Sequence, residues 1–436
     1  MSHVIIVGGG FAGVGCARRL AGHEDVRVTV LDRNNYHQFQ PLLYQVATSQ
    51  LGSSSIAMSL RKIFRKKPNV HVKMAEVESI DPEAGTVTAT DGETWSGDAI
   101  VLAAGSQPNF FGTPGADRNS FPLYSLNDAQ RLRSRIIAVF EDADRDPSLL
   151  DRGALNFVVV GGGPTGVETA GALADMIDRT MTMEFRDLPV TTARIHIVDL
   201  GHTLLGPFSK RAHHYVEKVL QRKGVELHLD TRVTEVAAGH VILGDGTEIR
   251  TRCVVWGGGI TAPALAAAAG VAQGRGGRID VEPELTLKGF PRVYAVGDVA
   301  NIAGPDGEAL PQLGSVALQS GVWAGKNLLA DFAGHPPQPF RYHDKGIMAM
   351  IGRGSAIAAM GRRRFELHGL VAFAAWLGVH LLLMTGARAR TRAVVDWIFV
   401  NVSRTRGPPL LDRAVAADID WSEDQPAEPA ATATSR

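Results

Sequence analysis

The chain has 436 residues, balances 45 Lys and Arg against 45 Asp and Glu, and is 45% hydrophobic, an ordinary globular composition that calls for two or three domains. A net charge of +0 provides no global basic field, so no nucleic acid is expected as a partner and any basic surface must be local. The two cysteines, Cys16 and Cys253, form no C-x-x-C pair, which removes a redox-active dithiol and a cysteine-rich metal site; no metal is expected.

The first element is the aliphatic run Val4 to Val7, a buried parallel strand by pattern. The strand starts within a few residues of Met1, so no cleavable signal peptide is expected and the globular part should be cytoplasmic. It ends in Gly8, Gly10 and Gly13, the G-x-G-x-x-G turn in which missing side chains allow a tight bend and close backbone approach to a pyrophosphate. Ala12 to Leu20 begins a helix whose N-terminal N–H groups face the phosphates, with Cys16 a small core residue inside it. A second strand, Val26 to Leu31, delivers Asp32 about 20 residues after the glycines, where a carboxylate can accept hydrogen bonds from a ribose. The following segment, RNNYHQFQPLLYQVATSQLGSSSIAMSLRKIF, lacks periodicity at first, turns helical in pattern from about Ile56, and suits a pocket wall better than a sheet. Val70 to Val87 and Trp95 to Leu102 alternate as strands around the turn Asp91 to Glu93, a small antiparallel layer that returns to a buried strand, Ala99 to Ala103. That strand ends in AAGSQPN, whose small residues Ala104 and Gly105 again permit close approach to a cofactor.

The plan then repeats. Asn156 to Val160 is followed by Gly161, Gly163 and Gly166, a helix from about Thr165 to Ile177, and a strand, Arg194 to Val198, ending in Asp199. An interposed segment, Thr182 to Thr192, lengthens the usual spacing. Val225 to Val241 repeats the antiparallel layer, and Cys253 to Trp256, followed by GGGI with Gly258, repeats the closing strand. Arg292 to Val299 is a short buried strand ending in Gly297-Asp298, whose carboxylate can reach a polyol chain or cap the next helix, Leu318 to Ala330. From Tyr342 the character changes. Leu370, Phe373, Leu377, Leu381 and Met384 share one helical face, and Val395, Ile398, Phe399 and Val402 repeat the pattern. The run is shorter than the ~20 residues of a bilayer span, and arginines flank it at 362 to 364, at 388, 390 and 392, and at 404 and 406. An interfacial pair on anionic lipid is the leading expectation, a core or dimer-forming helix pair the alternative. Beyond Arg413 the Ala-, Pro-, Thr- and acid-rich tail should be disordered.

Two dinucleotide sites in one chain imply electron transfer between a nicotinamide and a flavin. The N-terminal unit, completed by the distant Gly297-Asp298, suits FAD, and the inserted Asn156 to Trp256 unit suits exchangeable NADH. The segments DRNNYHQFQPLLYQVAT, GGGPTGVETAGALAD, YAVGDVA, YHDKGIMAMIGRGSA and GARARTR with its apolar helices together resemble type II NADH:quinone oxidoreductases, from about Val4 to Asp412.

The resemblance implies an α/β fold with two Rossmann-like domains in a glutathione-reductase-like arrangement and a C-terminal amphipathic membrane-anchoring region. It divides the chain into 1–112 and 261–340 for FAD, 113–260 for NADH, 341–413 at the membrane and a tail, 414–436. It implies a non-pumping flavoenzyme, peripheral on the cytoplasmic face of the membrane and a homodimer, passing two electrons from NADH through FAD to a quinone. Arg33 and Gln45 join the flavin residues, Glu168 matches a family glutamate near flavin and nicotinamide, and Lys345 matches a lysine near the quinone pocket. The family's A-Q-x-A-x-Q pattern in the helix after Gly297-Asp298 appears here with Ser315 in place of the first glutamine and Gln319 as the second. Two other readings are a soluble NADH-dependent flavoprotein reductase with another acceptor, and a redox sensor without turnover; the apolar C-terminal pair argues against the soluble reductase.

Overall fold

The computed structural model describes residues 1–361, 364–402 and 410–412, and divides into two units. The first comprises Met1–Phe39, Ala57–Asn109 and Ile260–Lys345. Its six-stranded sheet runs Thr286–Leu287, Phe290–Ala295, Ala99–Leu102, Ser2–Val7, Val26–Asp32 and Val70–Met74 in spatial order. All pairings but the first are parallel, with Val4 opposite both Val28 and Ala99. Both faces are covered, so the strands are continuous aliphatic runs with Ile5, Ile6, Leu31 and Ile100 fully buried. Helix Phe11–Leu20 packs on helix Gly314–Phe332, where a Cβ on Gly321 would collide with the Ala12 carbonyl; glycine is required for the approach.

The second unit comprises Gln40–Ile56, Phe110–Gly259 and the chain from Gly346. Its parallel sheet runs Phe121–Pro122, Cys253–Trp256, Asn156–Val160, Arg194–Val198 and Val225–His228. Helix Leu126–Arg145 opens on a capping box in which Ser125 and Asp128 satisfy each other's backbone N–H groups. Three antiparallel strands, Gly346–Gly352, Ser355–Met360 and Phe365–His368, precede helices Gly369–Leu383 and Ala387–Val402.

Each unit carries a three-stranded meander, at Val77–Asp81, Thr86–Ala89 and Thr94–Ser96 and at Val233–Val236, His240–Leu243 and Glu248–Arg250. The stretches that begin at Val70 and Val225 do not belong wholly to these layers. Val70–Met74 and Val225–His228 are instead the edge strands of the two parallel sheets. The segment after Asp32 also holds a short ribbon, Tyr36–Gln38 with Ala57–Ser59, where a helix from Ile56 was expected. Arginines 362, 363, 404 and 406 and the tail lie outside the described residues.

Candidate functional site

The first glycine turn is clasped by a carboxylate. Gly9 N–H donates to Asp32 Oδ2 and Asn34 N–H to Oδ1, both at 2.6 Å. A Cβ on Gly8 would strike the Ala103 carbonyl, and one on Gly13 the Gly8 carbonyl, so these two glycines serve the tight turn and helix packing. In front of Gly10 nothing stands within 4 Å of a Cβ position, and helix Phe11–Leu20 has no side-chain N-cap. The space and the uncapped N–H groups fit a pyrophosphate. Burial raises the Asp32 carboxyl above its ordinary range against the pull of the Gly9 and Asn34 N–H groups. His37 Nδ1–H donates to the Gly9 carbonyl at 3.0 Å, and burial lowers its imidazole to about 4, so the ring is neutral and buttresses the turn. Sequence reasoning passed over Gly9 and His37, although three successive glycines, where the motif needs two, mark the position.

Gly8, Ala104, Asp32 and Gly297 lie at or just beyond the carboxyl ends of four adjacent parallel strands, where open α/β sheets bind ligands. Gly105 has φ +70 and leads to Ser106, whose hydroxyl donates to Asp298 Oδ2 at 3.3 Å. Gly297, at φ +73, donates its N–H to Ser320 Oγ at 3.0 Å. Asp298 is raised by burial and opposed by Ser106 and the Arg278 charge, and its side chain caps no helix. Arg33 is exposed. Of the proposed acceptor residues in this unit, Ser315 Oγ lies 2.9 Å from the Tyr342 hydroxyl. The Gln319 amide donates to the His343 carbonyl and accepts its N–H, each at 3.0 Å. Both fasten the helix to the segment that ends at the exposed Lys345.

In the second unit the clasp recurs with other residues. Gly162 N–H donates to Asp199 Oδ2 at 2.5 Å and Gly201 N–H to Oδ1 at 2.6 Å. A Cβ on Gly161 would meet the Gly257 carbonyl, one on Gly166 the Gly161 carbonyl, and Gly163 again faces open space at an uncapped helix start. Gly258 lies against the Trp256 indole. The Leu200-Gly201-His202 turn after Asp199 holds no arginine, and Leu200 is exposed.

Glu168, on helix Pro164–Met176, is buried and accepts the Met350 N–H on Oε1 at 3.0 Å. Burial pushes its carboxyl up to about 8 against the pull of that N–H, so it holds a proton at neutral pH. Around it stand Trp376, fully buried, and His380, stacked on Trp376 at 3.8 Å and lowered to about 4 by burial. Gln45 belongs to this cluster. Its amide donates to the Tyr44 hydroxyl at 3.0 Å and accepts the Trp397 indole N–H at 2.8 Å, while the Tyr44 hydroxyl lies 3.3 Å from Met350 Sδ. Gln45, Gln50, Met350, Phe373, Leu377 and Trp397 line a cavity beside the cluster. No sequence pattern pointed to Tyr44, Trp376, His380 or Trp397.

Glycine turns clasped by carboxylates on two parallel sheets define a two-dinucleotide flavoprotein, and residues 2–321 match the pyridine nucleotide-disulphide oxidoreductase family. The chain is 35% identical over 421 residues to the type II NADH:quinone oxidoreductase Ndh of Mycobacterium tuberculosis, covering 93% of this chain and 89% of that protein. Against NdhA of the same organism it is 35% identical over 423 residues, covering 93% and 88%. The structure of NDH2 from Plasmodium falciparum in complex with NADH shares the fold at a TM-score of 0.85, with 17% identity, covering 94% of this chain and 99% of that one. The chain belongs to the type II NADH:quinone oxidoreductases. Cys16 and Cys253 are both buried thiols raised to about 12 by burial, so neither offers the thiolate that a disulphide relay needs.

Proposed function

We propose that this chain passes two electrons from NADH through FAD to a quinone without pumping protons, as a peripheral homodimer on the cytoplasmic face of the cell membrane. The observation that carries the reading is the repeated clasp, Gly9 with Asp32 and Gly162 with Asp199, which builds two nucleotide cradles of one design. FAD, when bound, supplies the two-electron acceptor chemistry that no side chain provides. Gly8, Gly10, Gly13 and Asp32 would hold it with Arg33, Ala104, Gly105, Gly297 and Asp298. NADH would lie on Gly161, Gly163, Gly166, Asp199 and Gly258. Asp199 favours free ribose hydroxyls and repels a 2′-phosphate.

Reduction of a quinone to a quinol consumes two protons, and the proton held by Glu168 supports a role as donor. Gln45 and Met350 line a small cavity beside that carboxyl, and Ser315, Gln319 and Lys345 would be the acceptor-side residues of the first unit. Lipid contact is supported by Leu370, Val371, Leu382, Leu383, Ile398 and Phe399, which are exposed on the last two helices. Among the described residues no helix is long and apolar enough to cross a membrane. Of the flanking arginines, Arg390 bonds the Leu382 and Met384 carbonyls and Arg392 bonds Ser54, so Arg388 is the one offered to headgroups on this helix. The cytoplasmic face and the homodimer rest on family resemblance.

Stopped-flow mixing tests the reaction. NADH should bleach the flavin absorbance, and a soluble quinone should restore it far faster than air alone. Bleaching without quinone-dependent recovery would mean a different acceptor, and no bleaching a sensor.

A further inference from the structure

The nucleotide sheet of the second unit carries a cluster that the electron-transfer reading does not use. His196 lies on strand Arg194–Val198, and Glu226 and His228 lie on its neighbour Val225–His228. In the parallel register His196 is opposite Glu226, and His228 is two residues further along, so all three side chains rise from the same face. His196 Nδ1 is 3.2 Å from His228 Nε2 and 3.4 Å from Glu226 Oε2. One donor atom from each of the three lies within 4.8 Å of the others.

The two separations from His196 Nδ1, 3.2 and 3.4 Å, match the edge of a metal tetrahedron. Bonds of 2.0–2.1 Å to a central ion place neighbouring ligand atoms about 3.3 Å apart. The single Nδ1 of His196 faces both a nitrogen and a carboxylate, and one N–H serves only one of them well, whereas an ion can be shared by both. A cation at the centre satisfies all three. Two imidazoles and a carboxylate suit zinc and its neighbours in the first transition row, not calcium or magnesium, which prefer oxygen. His196 is buried and its imidazole is lowered, chiefly by burial, which favours the neutral ring a metal needs. The other Glu226 oxygen, Oε1, is 3.7 Å from Arg194 Nε, which orients the carboxylate and leaves Oε2 for the ion. His228 also borders an open depression with Asp230, Thr231, Gly244 and Asp245, through which an ion and a water ligand can enter. The His228 carbonyl accepts the Asp199 N–H at 2.9 Å, so the site adjoins the clasp of the second glycine turn.

We propose that His196, Glu226 and His228 bind one divalent transition-metal ion, zinc or a chemical neighbour, which pins the two strands together beside Asp199. The full-length FAD-loaded protein, stripped with chelator and dialysed, is titrated calorimetrically with Zn²⁺ and with Mg²⁺. One zinc per chain should bind and magnesium should not. Because His196 is buried, the variants are Glu226→Gln and His228→Gln at the accessible edge, each first checked for a wild-type flavin spectrum. Each should weaken zinc binding at least about tenfold, the scale on which metal sites respond to loss of a supporting group. No stoichiometric zinc uptake by the wild type, or unchanged affinity in both variants, overturns the site and assigns any zinc bound to other histidines.

Discussion

Replacing Glu168 with Gln tests whether the buried carboxyl is protonated in the folded protein. The unfolded chain releases this proton near the ordinary value of 4.5, whereas the folded protein keeps it to about 8. Between those values the folded state binds more protons, so stability falls as pH rises, and the loss is complete above about 8. At ~1.4 kcal/mol for each pH unit, the interval is on the order of 5 kcal/mol. Glutamine has nearly the same volume, accepts the Met350 N–H through its carbonyl oxygen and does not titrate, so the variant escapes that loss. Calorimetric Tm values of the FAD-loaded wild type and variant, taken from pH 5 to pH 9, should diverge in favour of the variant up to about pH 8 and then run parallel. In turnover, quinone reduction by the wild type should decline as pH rises through 8, and the variant, with no proton to give at this position, should show no such decline. A Tm difference that is flat from pH 5 to pH 8 refutes the argument, because Glu168 would then titrate near its ordinary value despite burial.

NADH should be strongly preferred to NADPH, and Asp199→Ser should narrow the gap while raising KM for NADH, because the Gly162 and Gly201 N–H groups lose their acceptor; comparable kcat/KM for the two nucleotides in the wild type would remove Asp199 from the ribose site. Ser315→Gln adds an amide donor where the hydroxyl meets Tyr342, and one neutral hydrogen bond, ~0.5–1.5 kcal/mol, should lower KM for a soluble quinone several-fold without altering flavin reduction by NADH. Unchanged quinone kinetics would place the acceptor slot elsewhere. Ile398→Asp combined with Phe399→Asp puts two charges on an exposed apolar face and should release the protein from anionic liposomes in a sedimentation assay with the flavin retained; continued co-sedimentation would make that face irrelevant to lipid.

The two glycine turns were legible because each of their features is local: an aliphatic strand buried on both faces, glycines where a Cβ would strike a carbonyl, and an acid at the end of the next strand. Strand partners were less legible. Val70 and Val225 begin alternating runs that mark strands, but whether such a run joins the meander or the edge of a parallel sheet depends on distant backbone, here Val28 and Ile195. The hairpin of Gly346–Gly352 and Ser355–Met360 left a signal, two apolar runs separated by Arg353-Gly354, that sequence reading did not use. Glu168 shows the limit most sharply. Near a helix N-terminus a carboxylate would be read as ionised, yet burial in the fold overrides both that and the N–H groups of Met350 and Trp376, some 180 and 210 residues away in sequence, which favour the charged form.

The same non-locality changes how the C-terminal helices must be perturbed. A period of 3.6 picks out one stripe, Leu370 to Met384, yet within helix Gly369–Leu383 nearly every residue is apolar and no face is marked as outer. In the structure Ala372, Trp376 and His380 turn inward, Phe373, Leu377 and Leu381 are half-buried, and Leu370, Val371, Leu382 and Leu383 face out. Trp397 on the next helix donates to Gln45, while Ile398 and Phe399 beside it are exposed. Cutting the chain at Gly369 would therefore strip the wall from Gln45, Met350 and Glu168 along with the outward face. Loss of membrane binding and loss of activity would then coincide for two unrelated reasons, and only substitutions confined to the outward residues separate them.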